Sequence, residues 1–140
     1  MEKDLKSLII LFKAHSSLYD QVKHSLLDSS LTVNEFTALE ALYHKKVLTT
    51  SELIESILVA NSSMTYVPDT LEKKELIKRQ KSKHDKRVQT LSLTEKGTQL
   101  FTKIYDKHYH HMRQYFDVLD QEEEKTLQNL LKKIGKAATD

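Results

Sequence analysis

The 140-residue chain has no cysteine, no tryptophan, a single proline and only two glycines. Without cysteine there is no disulfide framework, no thiol redox switch and no thiolate-held metal. So few chain breakers, set among many Leu, Lys and Glu residues, argue against a many-turned β fold and for helices. With glycine only at 97 and 135, a phosphate-cradling glycine loop is poorly served. No nucleophile elbow or paired-carboxylate motif appears either, so the chain does not read as an enzyme or as a holder of any cofactor. Long hydrophobic runs are also missing. The apolar stretch Leu8 to Phe12 is too short for a signal-peptide core or a membrane span, which predicts a cytoplasmic protein. The length suits one domain with a real core.

What the chain does have is charge gathered in one place. Between Lys73 and Arg87 lie eight basic and two acidic residues, so this segment carries +6 while the whole chain carries only +2. A near-neutral protein with its positive charge concentrated this way has the electrostatic outline of a nucleic-acid reader.

The spacing of apolar residues predicts mostly helix. Leu5, Leu8, Ile9, Phe12, Tyr19, Val22 and Leu26 recur at 3, 4 or 7, predicting an amphipathic helix over 3–27. Its stripe needs a cover. Capping boxes follow at Thr32/Glu35 and Thr49/Glu52, with the short extended piece Val47–Thr49 between the two helices they open. Asn61 suits the N-cap of a further helix to about Lys74, with Met64, Val67 and Leu71 inward. Strand-like runs at 76–80 and 88–93 flank the polar tip KSKHDK and predict a basic β-hairpin. A long helix begins at Thr94 and reaches about Val118, with Leu100, Phe101, Ile104, His108 or Tyr109, Met112 and Phe116 inward. Asp120 and Glu123 open the last helix.

In this order, and above all in Asp85-Lys86-Arg87 followed by Leu93-Thr94-Glu95-Lys96-Gly97, the chain resembles the MarR family of winged-helix transcription regulators. Those residues match the family's D-x-R … L-T-x-x-G pattern. The resemblance covers essentially the whole chain. It implies a mainly α fold with a small β wing: a winged helix-turn-helix lobe over about 30–100, flanked by dimerisation helices at 3–27 and 105–138. It implies a homodimer that binds double-stranded DNA at a palindromic operator, as a repressor, relieved by a small-molecule effector. Ser62, Ser63, Thr65 and Tyr66 would read bases or backbone from the helix. Arg87, oriented by Asp85, would enter the minor groove, and Lys83, His84 and Lys86 would meet phosphates.

The family's effector pocket would be lined here by His15, Tyr19, Phe36, Leu39, Tyr43 and Ile104. The same residues serve an ordinary core equally well. His108 and His111 are spaced to share a metal on one helix face, as in a zinc-responsive regulator. Against this, Phe36 stands where a ligand would be placed, Glu35 is a capping residue, and Ile104 stands four residues before His108. The histidines therefore read as exposed helix residues, and no metal is expected.

Two positions depart from the family pattern. Pro68 falls inside the reading helix, and the 64/67/71 spacing that spans it predicts a continuous but kinked or locally widened helix. The other possibility is a helix that starts near Pro68, which would fit a dimeric interaction protein without specific DNA binding. Glu75 stands at a turn where the family often has glycine. A glutamate there implies either no positive φ or one tolerated at some strain.

Overall fold

Three helix starts are set by local side-chain chemistry. Thr32 Oγ1 accepts the Glu35 N–H while Glu35 Oε1 accepts the Thr32 N–H, and Thr49 with Glu52 repeats the arrangement. Asp120 and Glu123 do the same, at 3.0 and 2.8 Å. Each box satisfies two backbone donors that a helix start leaves orphaned. The computed structural model describes residues 3–57 and 63–139. It contains α1 (Lys6–Ser25), α2 (Val33–Lys45), β1 (Leu48–Thr49), α3 (Thr50–Glu55), a 3-10 turn (Met64–Tyr66), α4 (Val67–Lys73), β2 (Ile77–Lys81), β3 (Gln89–Leu93), α5 (Glu95–Phe116) and α6 (Gln121–Thr139). The three strands form one antiparallel sheet in the order β1-β3-β2, with Leu48 opposite Leu91 and Ile77 opposite Leu93. The fold is mainly α with a small β wing.

The core lies between α2, α3, α4, the sheet and the first turns of α5. Phe36, Leu39, Leu42, Leu53, Leu71, Leu91 and Phe101 are essentially inaccessible there. The apolar residues of the chain ends behave differently. Leu5, Ile9, Phe12, Leu130 and Ile134 are exposed, Phe12 at 64% and Ile134 at 56%.

The expectation of a continuous helix from Asn61, kinked or locally widened, does not hold. Asn61 lies outside the described residues, and α-helix begins only at Val67. Before it the backbone winds as a 3-10 turn: the Tyr66 N–H bonds Ser63 O at 3.1 Å, and the Val67 N–H bonds Met64 O. The reason is Pro68, which has no N–H to offer Met64 C=O in an α-helix. In the first turn of α4 that donor is not needed, and Pro68 is buried there. Val67 and Leu71 are buried and Met64 half-buried, so the apolar spacing still describes one face.

Glu75 does adopt positive φ, at 63°. Its N–H bonds Glu72 O at 2.9 Å and the Leu76 N–H bonds Leu71 O at 3.0 Å. This bond pair is the Schellman cap, with Glu75 at the position that glycine usually fills. Leu76 is therefore the apolar residue of a helix cap and not the first residue of a strand, which is why β2 starts one residue later than expected.

Candidate nucleic-acid interface

The wing is the hairpin of β2 and β3. Its tip is closed by backbone bonds, Ser82 N–H to Val88 O at 2.8 Å and Val88 N–H to Asp85 O at 3.0 Å. No apolar side chain occupies the tip. Asp85 Oδ1 accepts from the Arg87 backbone N–H at 2.9 Å and from its Nε at 3.1 Å, and Oδ2 accepts from Nη2 at 3.3 Å. These bonds, side chain first, hold the Asp85 carboxyl below the usual carboxylate range. The Arg87 side chain is nevertheless 91% exposed. An exposed arginine with a fixed orientation is thus presented beside Lys83, His84 and Lys86, all exposed.

Ser63, Thr65 and Tyr66 sit on the turn that leads into α4, and all three are exposed. Ser62 lies outside the described residues. Asn34, buried at the start of α2, reaches Ser63 Oγ with its Nδ2 at 3.4 Å, tying the start of this turn to the lobe.

The positive segment is less free than its composition suggests. Lys74 Nζ donates to Glu35 Oε2 at 2.7 Å and to Ser30 O at 3.1 Å. Glu35, nearly buried, thus caps α2 with one oxygen and anchors the end of α4 with the other. Arg79, on β2, bonds Asp69 on α4 and has its Nε 3.6 Å from Glu72. Lys73, Lys78, Lys81, Lys83 and Lys86 form no ion pair among the described residues and remain for an outside partner.

The L-T-x-x-G stretch has a physical content of its own. Thr94 Oγ1 accepts the Gly97 N–H, capping α5, and donates to Glu75 O at 2.7 Å. The Thr94 N–H bonds Leu76 O at 3.1 Å, and Lys96 Nζ donates to Lys74 O at 3.2 Å. A Cβ at Gly97 would stand 2.0 Å from Leu76 O, so only glycine fits. The start of α5 is thereby fastened to the turn after α4.

The six residues expected to line one pocket fall into two groups: Phe36, Leu39, Tyr43 and Ile104 belong to or pack against the core, and His15 pairs with Tyr19 on α1. Phe36 and Leu39 are core: Phe36 packs on Phe101 and His108 with ring centroids 5.5 and 4.6 Å away, filling the space between α2 and α5. His15 is exposed and stacks on Tyr19. Tyr19 lines a cleft of about 430 Å³ with Lys23, Leu26, Val33, Asn34 and Ser63. Ile104 lines another of about 410 Å³, with Ser25, Asp28, Lys103 and Lys107. Tyr43 packs against Phe101 instead.

Of the helix histidines expected to be exposed, His15, His24, His44 and His110 are, whereas His108 and His111 are half-buried. His108 is half-buried, its Nδ1 2.8 Å from Ser25 Oγ. Ser25 Oγ has one proton, and Val22 O stands ready to accept it at 2.7 Å. Both bonds coexist only if His108 Nδ1 donates. Burial, and then the nearby His111, push the His108 pKa below its ordinary 6.5. His111 Nε2 pairs with Gln21 at 2.9 Å. The two rings thus serve separate contacts between α1 and α5, and no group of three metal-ligating side chains occurs among the described residues. The same region holds a contact that the sequence reading did not include: Arg113 bonds Asp117 one helical turn on, at 2.8 Å, and also Glu124, fixing the turn from α5 to α6.

Comparison with known proteins adds to this geometry. A sequence model of the MarR family matches residues 31–88. The HTH-type transcriptional regulator MhqR of Bacillus subtilis (strain 168) is 37% identical over 134 residues, 96% of this chain and 92% of that one. The crystal structure of NadR in complex with 4-hydroxyphenylacetate matches with TM-score 0.81 at 25% identity, covering 97% of this chain and 96% of NadR. Sco3205 of Streptomyces coelicolor, solved in complex with DNA, has the same fold: TM-score 0.82, 22% identity, 98% of this chain and 91% of that one.

Proposed function

Since the chain belongs to the MarR family, whose members are DNA-binding transcription regulators and not enzymes, we propose that it works as a homodimeric repressor of a palindromic operator, in the cytoplasm. The observation that carries the DNA role is Arg87: exposed, yet held by Asp85 through backbone and side chain. A preoriented cation at a slender tip suits the minor groove, where a narrow phosphate-lined trough attracts arginine. Lys83, His84 and Lys86 then meet phosphates, giving affinity and salt dependence but little sequence choice. Ser63, Thr65 and Tyr66, with Ser62, read the major groove. Pro68 does not oppose this reading, because it lies in the first turn of α4 and leaves the preceding turn helical in sense.

The dimer rests on the exposed apolar residues of the two ends. Leu5, Ile9 and Phe12 on or beside α1, and Leu130, Leu131 and Ile134 on α6, are the stripes of amphipathic helices with no cover in one chain. A two-fold interface of roughly 2,000 Å² would bury them and would place two wings on half-sites about one DNA turn apart. An effector is part of the proposal. NadR holds 4-hydroxyphenylacetate, and the 430 Å³ cleft here joins α1 to Ser63 at the start of the reading turn. A ligand there would shift the population between two dimer geometries.

Selection of bound duplexes from a random library, with and without candidate effectors, tests the whole reading. Arg87→Ala should then weaken the selected operator about ten-fold or more and lower the salt slope by about one contact, with the melting temperature unchanged. Unchanged affinity across a salt titration would remove Arg87 from the interface.

A further inference from the structure

The reading element has little hold of its own. α4 is seven residues long, begins with a proline in its first turn, and follows a 3-10 turn that has no side-chain cap. A helix of that length is not stable by itself, so its orientation is set by what surrounds it. Its inner residues Val67, Pro68 and Leu71 are buried, while two carboxylates, Asp69 and Glu72, lie on the outside. On an element that faces phosphates these are the wrong sign. Both are engaged by one residue of the wing: Arg79 bonds Asp69 through Nη2 and sets Nε 3.6 Å from Glu72. Its neighbours on the same strand, Lys78 and Lys81, are exposed. The Arg79 side chain is only 25% exposed, and its Nε is buried with no hydrogen bond of its own. That is poor geometry for gripping a phosphate and good geometry for gripping a helix.

We infer that Arg79 is a positioning residue for sequence reading: it pins α4 to the wing through Asp69 and Glu72 and takes no phosphate itself. The inference rests on the DNA-reading function proposed above. It makes a forecast that charge counting reverses. Removing the acid Asp69 from beside DNA should tighten binding if charge alone matters. If Asp69 is half of a clamp, its removal weakens binding to the operator.

The test uses the full chain, a duplex selected from a random library and an unrelated duplex of equal length, with affinity followed over a salt series. Arg79→Ala is expected to weaken the selected duplex about ten-fold or more and the unrelated one less than about three-fold, with the salt slope unchanged. Asp69→Asn is expected to weaken the selected duplex too, and Arg79→Ala with Asp69→Asn to be no worse than the poorer single variant, since partners in one contact do not add. Arg79→Lys keeps the charge but cannot span two carboxylates, and should stay weak. Equal losses on both duplexes with a shallower slope would make Arg79 a phosphate contact and overturn the inference. So would tighter binding by Asp69→Asn, or full recovery in Arg79→Lys. Melting curves accompany each variant, and the two conservative ones keep the test decisive if Arg79→Ala unfolds. A wild-type chain that binds both duplexes alike overturns the DNA-reading function first, and the clamp with it.

Discussion

The lobe between Leu26 and Phe101 and the two ends of the chain place their apolar residues in opposite ways. In the lobe, Leu39, Leu53, Leu71 and Leu91 have no measurable exposure. On α1 and α6, Ile9, Phe12 and Ile134 stand more than half exposed. Both regions are helical and both have clear amphipathic spacing, so periodicity alone does not separate them. The difference is topological. The lobe closes on itself through the three-stranded sheet and the capped turns, whereas each terminal helix presents a stripe that nothing in the same chain covers. One region is a finished unit; the other, on the dimeric function proposed above, is half of an interface.

The largest expected effect attacks the unfinished half. Phe12→Glu together with Ile134→Glu should raise the dimer dissociation constant a thousand-fold or more, about 4 kcal/mol, by burying charge at the centre of an apolar interface. Sedimentation would show a monomer, and circular dichroism an intact lobe. If the lobe melted with the dimer, the contrast between the regions would be false.

The next largest concerns the seam between them. Gly97→Ala drives a methyl group against Leu76 O and should cost about 3 kcal/mol in denaturant unfolding, at the upper end for overpacking. Within the lobe, Glu75→Gly removes a side chain from a left-handed residue and should stabilise by roughly 1 kcal/mol, less the entropy that glycine adds to the unfolded chain. The smallest effect lies at the α1–α5 contact. His108 has a folded pKa below its unfolded value, so the unfolded chain takes the proton first. Stability is complete above pH 6.5 and declines as the pH falls through the window beneath it. For a ring that is only half buried the decline should be about a few tenths of a kcal/mol per pH unit. Urea midpoints at pH 7.5 and 5.5 should differ by less in His108→Gln.

How much of this was legible in the sequence depended on how local each feature is. The capping boxes at Thr32, Thr49 and Asp120 were readable because both partners lie within four residues. The Asp85–Arg87 pair and the Thr94–Gly97 stretch are equally local, but it is the family pattern that points to them. The start of α4 was misread because two local signals conflict there. Apolar spacing crosses Pro68, but hydrogen bonding does not, and a 3-10 turn reconciles them in a way that neither signal names. Contacts across the chain left no trace: Lys74 with Glu35, Arg79 with Asp69, and His108 with Ser25 join elements whose meeting only the folded topology decides. The split of the expected pocket residues between the core and α1 is likewise decided by topology. Phe36 has the right character for a ligand wall, but its packing on Phe101 and His108 makes it core.

The fastening of α5 to the turn after α4 has a mechanical consequence. Thr94, Lys96 and Gly97 bind this helix end to Lys74, Glu75 and Leu76, so the two move as one piece. α5 has 22 residues, a rod of about 33 Å. Pivoted near Phe116, it is a lever arm: a tilt of about 3° carries its other end by nearly 2 Å, as much as separates a hydrogen bond from no bond. On the DNA-reading role proposed above, a displacement too small to notice among the terminal helices would arrive at α4 as the difference between touching a base and missing it.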